Sequence, residues 1–240
     1  MNSIDQLQQM IDASSRIVFF GGAGVSTESN IPDFRSADGL YHQTYRYSPE
    51  QIVSHSFFMK NTEAFYEFYK EKMMFLDAKP NPAHLKLAEL EKAGKLTAVI
   101  TQNIDGLHQT AGSKNVLELH GSILRNYCMR CHKTYDAFYV KNATGIPICG
   151  ECQGTIRPDV VLYEEGLDSS IIQKSIRAIS DADMLIIGGT SLIVYPAAGF
   201  IDYFRGRYLV VINKDATAKD VRADLTIHDP IGKVLEQIHA

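Results

Sequence analysis

The chain has 240 residues, 45% of them hydrophobic and 22% charged, with a formal net charge of −4. That length accommodates one large domain, or one domain with a sizeable insertion, in an ordinary globular composition. The small negative charge offers no global basic field, so neither nucleic acid nor an anionic membrane is an expected partner.

The first residues carry neither a basic stretch nor an apolar one, so no signal peptide is expected there. Residues 3–15 read as an amphipathic helix, with Ser3-x-x-Gln6 as a capping box. Ile17-Val18-Phe19-Phe20 is a continuous apolar run that ends in Gly21-Gly22-Ala23-Gly24, a buried strand followed by a glycine turn. Glycines there would let backbone N–H groups approach a pyrophosphate, although a plain tight turn reads the same way. A dehydrogenase fingerprint would need glycine at 27, where Thr27 stands. Ile31-Pro32-Asp33-Phe34-Arg35-Ser36 reads as a loop. Either Asp33 and Arg35 form a local ion pair, or Phe34 covers a flat ring and Arg35 meets a phosphate.

Residues 37–95 hold aromatic-rich helical text. A second buried strand, 96–101, leads into Gln102-Asn103-Ile104-Asp105, whose amides and carboxylate either face a cleft or form a turn. A third, 116–119, ends at His120-Gly121, where the imidazole is either structural or a general base with a pKa near neutrality. Residues 160–163, 184–189 and 208–213 repeat the strand pattern, with helical stretches at 169–179 and 195–204. Gly189-Thr190-Ser191 would suit phosphate or ribose hydroxyls, and Asn213-Lys214 an adenine ribose, with caps or turns as the alternative. Buried strands alternating with helices predict an α/β fold with a parallel sheet covered on both faces. A ligand cleft is expected at the strands' carboxyl ends.

The only cysteines, Cys128, Cys131, Cys149 and Cys152, follow the spacing C-x2-C-x17-C-x2-C. That is zinc-ribbon spacing, and four thiolates leave no coordination position for water, so one structural Zn²⁺ is expected. Two disulfides are the alternative, disfavoured by an intracellular composition; a reducing cytoplasm is the expected compartment. The four-cysteine segment 122–157 and the helical insert 37–95 are expected to form a small lobe. Residues 1–36, 96–121 and 158–240 are expected to form the large domain.

In their order, these motifs resemble the sirtuins, NAD-dependent protein-lysine deacylases, from about Ile17 to about Leu235. The resemblance rests on Gly22-Ala23-Gly24-Val25-Ser26, Ile31-Pro32-Asp33-Phe34-Arg35, Gln102-Asn103-Ile104-Asp105, His120-Gly121, the cysteines and Gly189-Thr190-Ser191. It implies a Rossmann-like, doubly wound parallel sheet with a smaller zinc-ribbon and helical lobe inserted, in a minimal, bacterial-type enzyme. It implies removal of acetyl groups from protein lysines, with NAD consumed as co-substrate and nicotinamide and O-acetyl-ADP-ribose as products.

The resemblance also assigns roles. His120, Asn103 and Asp105 would be catalytic. Ala23, Thr27, Phe34, Arg35, Gln102, Ile104, Asp105, His120, Thr190, Ser191, Asn213, Lys214 and Ile231 would line the NAD site. Val160, Val161 and Leu162 would pair by strand addition with acetylated lysine in an extended protein segment. A monomer is expected. Sirtuins that remove dicarboxylic acyl groups carry Tyr-x-x-Arg on a small-lobe helix; here Tyr66 is followed by Tyr69, so a small uncharged acyl group is expected. Two positions depart from the family. Asn30 stands where glycine is usual, and Tyr163-Glu164-Glu165 stands where many relatives have aromatic-Gly-Glu. Mono-ADP-ribosyl transfer, NAD hydrolysis and a non-enzymatic NAD or ADP-ribose sensor are the alternatives.

Overall fold

The structure, a computed structural model, describes residues 2–33, 47–217 and 220–240. In chain order its helices are α1 (Ser3–Asp12), α2 (Pro49–Ile52), α3 (His55–Lys60), α4 (Thr62–Lys72), α5 (Pro82–Lys92), α6 (Leu107–Ala111), α7 (Ala137–Asn142), α8 (Ser169–Asp181) and α9 (Ile231–Leu235). Its strands are β1 (Ile17–Gly21), β2 (Leu96–Thr101), β3 (Val116–Glu118), β4 (Gly121–Cys128), β5 (Thr134–Asp136), β6 (Ile156–Val160), β7 (Met184–Gly188), β8 (Tyr208–Ile212) and β9 (Leu225–Ile227).

Among the described residues, six strands form one sheet in the order β3-β2-β1-β7-β8-β9, every neighbouring pair parallel. The central strand β1 shows why both faces must be covered. Its side chains alternate, and all are buried. Ile17 and Phe19 join a core with Leu7 and Ile11 of α1, Leu87 and Leu90 of α5, and Val234 of α9. Val18 and Phe20 join another, with Ile179 of α8 and Phe200 of the 3-10 helix Ala197–Tyr203. The chain leaves β1 toward β3 and later returns to β1's other side at β7, so the order reverses between β1 and β7. That switch point is where open parallel sheets bind ligands.

The second sheet, β5-β4-β6, is antiparallel. Its core is shared with α2–α4: Phe58, Phe65, Tyr66 and Tyr69 pack with Ile123, Cys128, Cys149, Ile156, Val160 and Leu162. The helices α2–α4 and the cysteine-bearing segment thus share one hydrophobic core.

Several expectations change. The first helix is capped by Asn2, whose side chain accepts from the Asp5 N–H at 2.8 Å while Asp5 answers the Asn2 N–H, and the helix ends at Asp12. Residues 160–163 are no parallel strand. Their apolar side chains at Val160 and Leu162 fill the small-lobe core, while β6 ends at Val160 and pairs with β4. Residues 156–160 therefore belong to the small lobe. Conversely α5, placed in the helical insert by sequence, packs in the large core because Ala83, Leu87 and Leu90 share one face. The stretch 195–204 holds a 3-10 helix, Ala197–Tyr203, in place of an α-helix, and β9 lies outside the expected strands. Asn30 does adopt the left-handed conformation at φ 61°, which asparagine tolerates better than most residues.

Candidate functional site

The register of β1 explains how the site assembles. Gly21 lies opposite Thr101 of β2 and Gly188 of β7, so the segments that follow all three strands emerge side by side. Gly24 donates its N–H to the Gly189 carbonyl at 2.8 Å. A Cβ at Gly24 would stand 2.8 Å from the Gly189 Cα, and one at Gly189 only 2.4 Å from the Val25 nitrogen. These glycines therefore let two turns interlock. Of the backbone N–H groups that the glycine turn was expected to offer a pyrophosphate, that of Gly24 is engaged within the protein.

Around this joint lies a polar network. Ser26, only 1% exposed, donates its hydroxyl to Asp105 Oδ2 at 2.7 Å and accepts from Asn103 Nδ2 at 3.0 Å. Asp105 Oδ1 receives the Leu107 N–H at 2.9 Å. Burial raises the Asp105 pKa, while the Leu107 and Ser26 donors hold it down and Glu118 pushes it up. Gln102 Nε2 reaches Thr190 Oγ1 at 3.1 Å, across the switch point.

His120 Nδ1 lies 2.9 Å from the Gln102 carbonyl. A carbonyl only accepts, so Nδ1 carries the proton and Nε2 keeps its lone pair. Burial lowers the His120 pKa, opposed by the Gln102 carbonyl. The imidazole is thus neutral near pH 7 and presents a base.

The structure brings Ala23, Gln102, Asn103, Ile104, Asp105, His120, Thr190 and Ser191 to the carboxyl edge of β1, β2, β3 and β7. Thr27 is exposed just beyond, its hydroxyl on the Gly24 carbonyl at 3.0 Å. Asn213 and Lys214 follow β8; Asn213 Nδ2 is held by the Asp215 carbonyl at 2.7 Å, and Lys214 is exposed. Ile231 is different. Its side chain is 3% exposed and packs beneath Gly188, so it is core, and at most its backbone reaches a ligand. Phe34 and Arg35 lie outside the described residues. Val160, Val161 and Leu162 run beside the site, with the Val161 N–H on the His120 carbonyl at 3.0 Å. Tyr66 and Tyr69 are buried core aromatics, and Tyr66 donates its hydroxyl to the Ile156 carbonyl. Ser26 stands within the motif Gly22-Ala23-Gly24-Val25-Ser26, and the sequence by itself assigns it no role. Its signal was a hydroxyl directly after a glycine turn, a place where helix caps also occur.

The Sγ atoms of Cys128, Cys131, Cys149 and Cys152 all lie within 4.8 Å of one another. Cys128 and Cys152 are 3.3 Å apart and Cys131 and Cys149 3.6 Å, much too far for disulfide bonds. A tetrahedron of Zn–S bonds of about 2.3 Å has edges of roughly 3.8 Å, so the set fits a zinc ion. Tyr135 Oη donates to Cys149 Sγ at 3.0 Å, the kind of outer contact that orients a thiolate ligand.

Behind Asp105 lie two fully buried imidazoles, His84 and His108, with ring centroids 4.7 Å apart. The Asn81 N–H donates to His84 Nδ1 at 3.2 Å, so His84 carries its proton on Nε2. Burial lowers His84 to about 4 and His108 to about 3, the latter also through His84. The unfolded chain takes up these protons near pH 6.5, about the ordinary imidazole value, and the folded chain resists. The associated stability is whole above that pH and is lost as pH falls toward the folded values. Tm should therefore drop between pH 7.5 and pH 5, and His108→Leu should shrink that drop, by scanning calorimetry at both pH values. An equal drop in the variant refutes the assignment.

The Sir2 family model matches residues 22–196. An NAD-dependent protein deacetylase of Clostridium acetobutylicum is 64% identical, over 99% of this chain and 98% of its own length. A solved complex of a histidine-to-alanine Sir2 variant with deacetylated p53 peptide and 3'-O-acetyl-ADP-ribose superposes with a TM-score of 0.91 at 37% identity, covering 98% of this chain and 97% of that one. A solved complex of Sir2 with p53 peptide and NAD+ gives 0.87 at 39% identity, covering 99% and 97%.

Proposed function

This chain belongs to the Sir2 family, and we propose how its own residues divide the work of an NAD-dependent protein deacetylase. The reaction moves the acetyl group of an acetyl-lysine onto ADP-ribose and releases nicotinamide from NAD, the co-substrate. The observation that carries the assignment is the His120 Nδ1–Gln102 carbonyl contact at 2.9 Å, which leaves Nε2 as a buried neutral base.

In this reading His120 Nε2 accepts the proton of a ribose hydroxyl, so that the oxygen can attack the acetyl-derived carbon. Asn103 and Gln102 orient the nicotinamide ribose, Asn103 being held in turn by Ser26. Asp105, fixed by Ser26 and the Leu107 N–H, receives the carboxamide of nicotinamide beside Ile104. Holding the reacting groups in register and away from water supplies much of the rate. Ala23 and Thr27 take the pyrophosphate side, Thr190 and Ser191 the adjoining ribose and phosphate. The adenosine ribose falls to Asn213, whose Oδ1 faces a hydroxyl once Nδ2 is engaged, and to Lys214.

The acetylated segment lies along Val160, Val161 and Leu162, next to His120. Two N–H groups there are engaged, Val161 with His120 and Leu162 with Glu165, so strand addition draws on backbone carbonyls of this edge, which accept from N–H groups of the acetylated segment. With Tyr66 and Tyr69 in the core and no cation at that helix position, the acyl group is small and uncharged. Four reduced thiolates holding zinc suit a cytoplasmic compartment, and a monomer completes the reading.

Mass spectrometry of an acetyl-lysine peptide incubated with and without NAD tests the reading. Loss of one acetyl group, with nicotinamide and O-acetyl-ADP-ribose appearing only with NAD, is expected. ADP-ribose attached to protein, with no O-acetyl-ADP-ribose, would overturn it in favour of ADP-ribosyl transfer.

A further inference from the structure

Glu164 holds an unusual backbone conformation: φ is 75°, in the left-handed region that favours glycine. A glutamate is strained there unless its side chain returns something. Both of its carboxylate oxygens are engaged by one residue. Ser56 donates its N–H to Glu164 Oε2 at 2.9 Å and its hydroxyl to Oε1 at 2.9 Å.

Those bonds sit inside a larger clamp. Tyr163 pairs in parallel with Ser54, its N–H on the Val53 carbonyl and its carbonyl receiving the His55 N–H, each at 3.0 Å. Glu165 accepts the Leu162 N–H at 2.9 Å, Arg157 Nη2 at 2.5 and 2.6 Å, and meets His55 Nδ1 at 2.7 Å. Residues 162–165 are thereby tied to the α2–α3 junction on one side and to β6 on the other. They directly follow Val160, Val161 and Leu162, and Val161 is bonded to His120.

We propose that Glu164 is a positioning residue for substrate peptide: its clasp on Ser56 pins the strained turn and holds the peptide-binding edge in its bound shape beside His120. The inference rests on the peptide assignment made above. A strand that is already ordered loses less freedom when a peptide pairs with it, so the clasp acts on peptide affinity and leaves the chemical step alone.

Steady-state kinetics on one acetyl-lysine peptide, with NAD varied separately, tests this in wild type, Glu164→Gly, Ser56→Ala and the double variant. Glycine at 164 accepts the backbone conformation, so the variant should fold, with Tm measured alongside. The peptide KM should rise roughly threefold or more in each single variant, and no further in the double variant, because both changes break one contact. Turnover at saturating peptide and the NAD KM should stay within about twofold. An unchanged peptide KM in Glu164→Gly, a fall in turnover instead, or additive effects in the double variant would overturn the proposal. Wild-type protein that turns over no acetyl-lysine peptide would instead overturn the functional reading, and this inference with it.

Discussion

A His120→Tyr variant should lose at least a hundredfold to ten-thousandfold of its deacetylation rate, the usual worth of a positioned general base, while keeping its fold and its NAD binding. In the proposed role the imidazole depends on two local facts. Its Nδ1 proton is fixed on the Gln102 carbonyl, and burial keeps the ring neutral near pH 7. A phenol, with a pKa of about 10, stays protonated and offers no comparable base. The same facts set the pH profile. Since the His120 pKa is depressed, the acid limb of kcat/KM should have its midpoint below about 6.5, the free imidazole value. Kinetics on an acetyl-lysine peptide, with calorimetric NAD titration of the variant, provides the measurement. Near-normal turnover in a folded variant would remove His120 from its role.

The second large effect concerns zinc. Cys128 and Cys149 are fully buried, and they share their core with Ile123, Ile156, Val160 and Leu162. Two of the four thiolates are therefore also part of the small-lobe core. Structural zinc contributes on the order of 10 kcal/mol to folding in small metal-dependent modules, comparable to a whole domain's stability. Cys128→Ala should lose the metal and the small-lobe fold together. Because Val160 and Leu162 belong to that core, peptide turnover should go with them, while the large sheet survives with its separate cores. Metal content, near-ultraviolet circular dichroism and Tm on the purified variant decide the matter. A metal-free variant that remains folded with full activity would show that the zinc is dispensable.

Zinc removal and base replacement thus act on different lobes, which makes their signatures separable. The His120 variant should keep its metal and its cooperative unfolding. The Cys128 variant should retain the large-lobe cores but lose the peptide edge, since Val160 and Leu162 pack with the cysteines.

Much of this protein could be read locally. The apolar runs that became β1, β2, β3, β7 and β8 are continuous because both faces of a parallel sheet are covered, and the turns after them carry glycine, hydroxyls and amides. The C-x2-C pairs determined the metal site for the same reason: ligand spacing within a turn is a short-range property. What tertiary structure alone decided are contacts between segments distant in the chain. Ser26 meets Asp105 79 residues away, and Ser56 meets Glu164 108 residues away. The interlock of Gly24 with Gly189 gave those glycines a packing role that the turn pattern alone does not distinguish from phosphate binding. Likewise 160–163 looks like another buried strand, and only packing shows Val160 and Leu162 filling the small lobe. The physical reason is register. Hydrophobic periodicity says that a segment is a strand and which residues are inside, but which strand end lies beside which depends on pairing across the sheet, and it is the alignment of Gly21 with Thr101 and Gly188 that brings the amides and hydroxyls that follow these strands to one edge of the sheet.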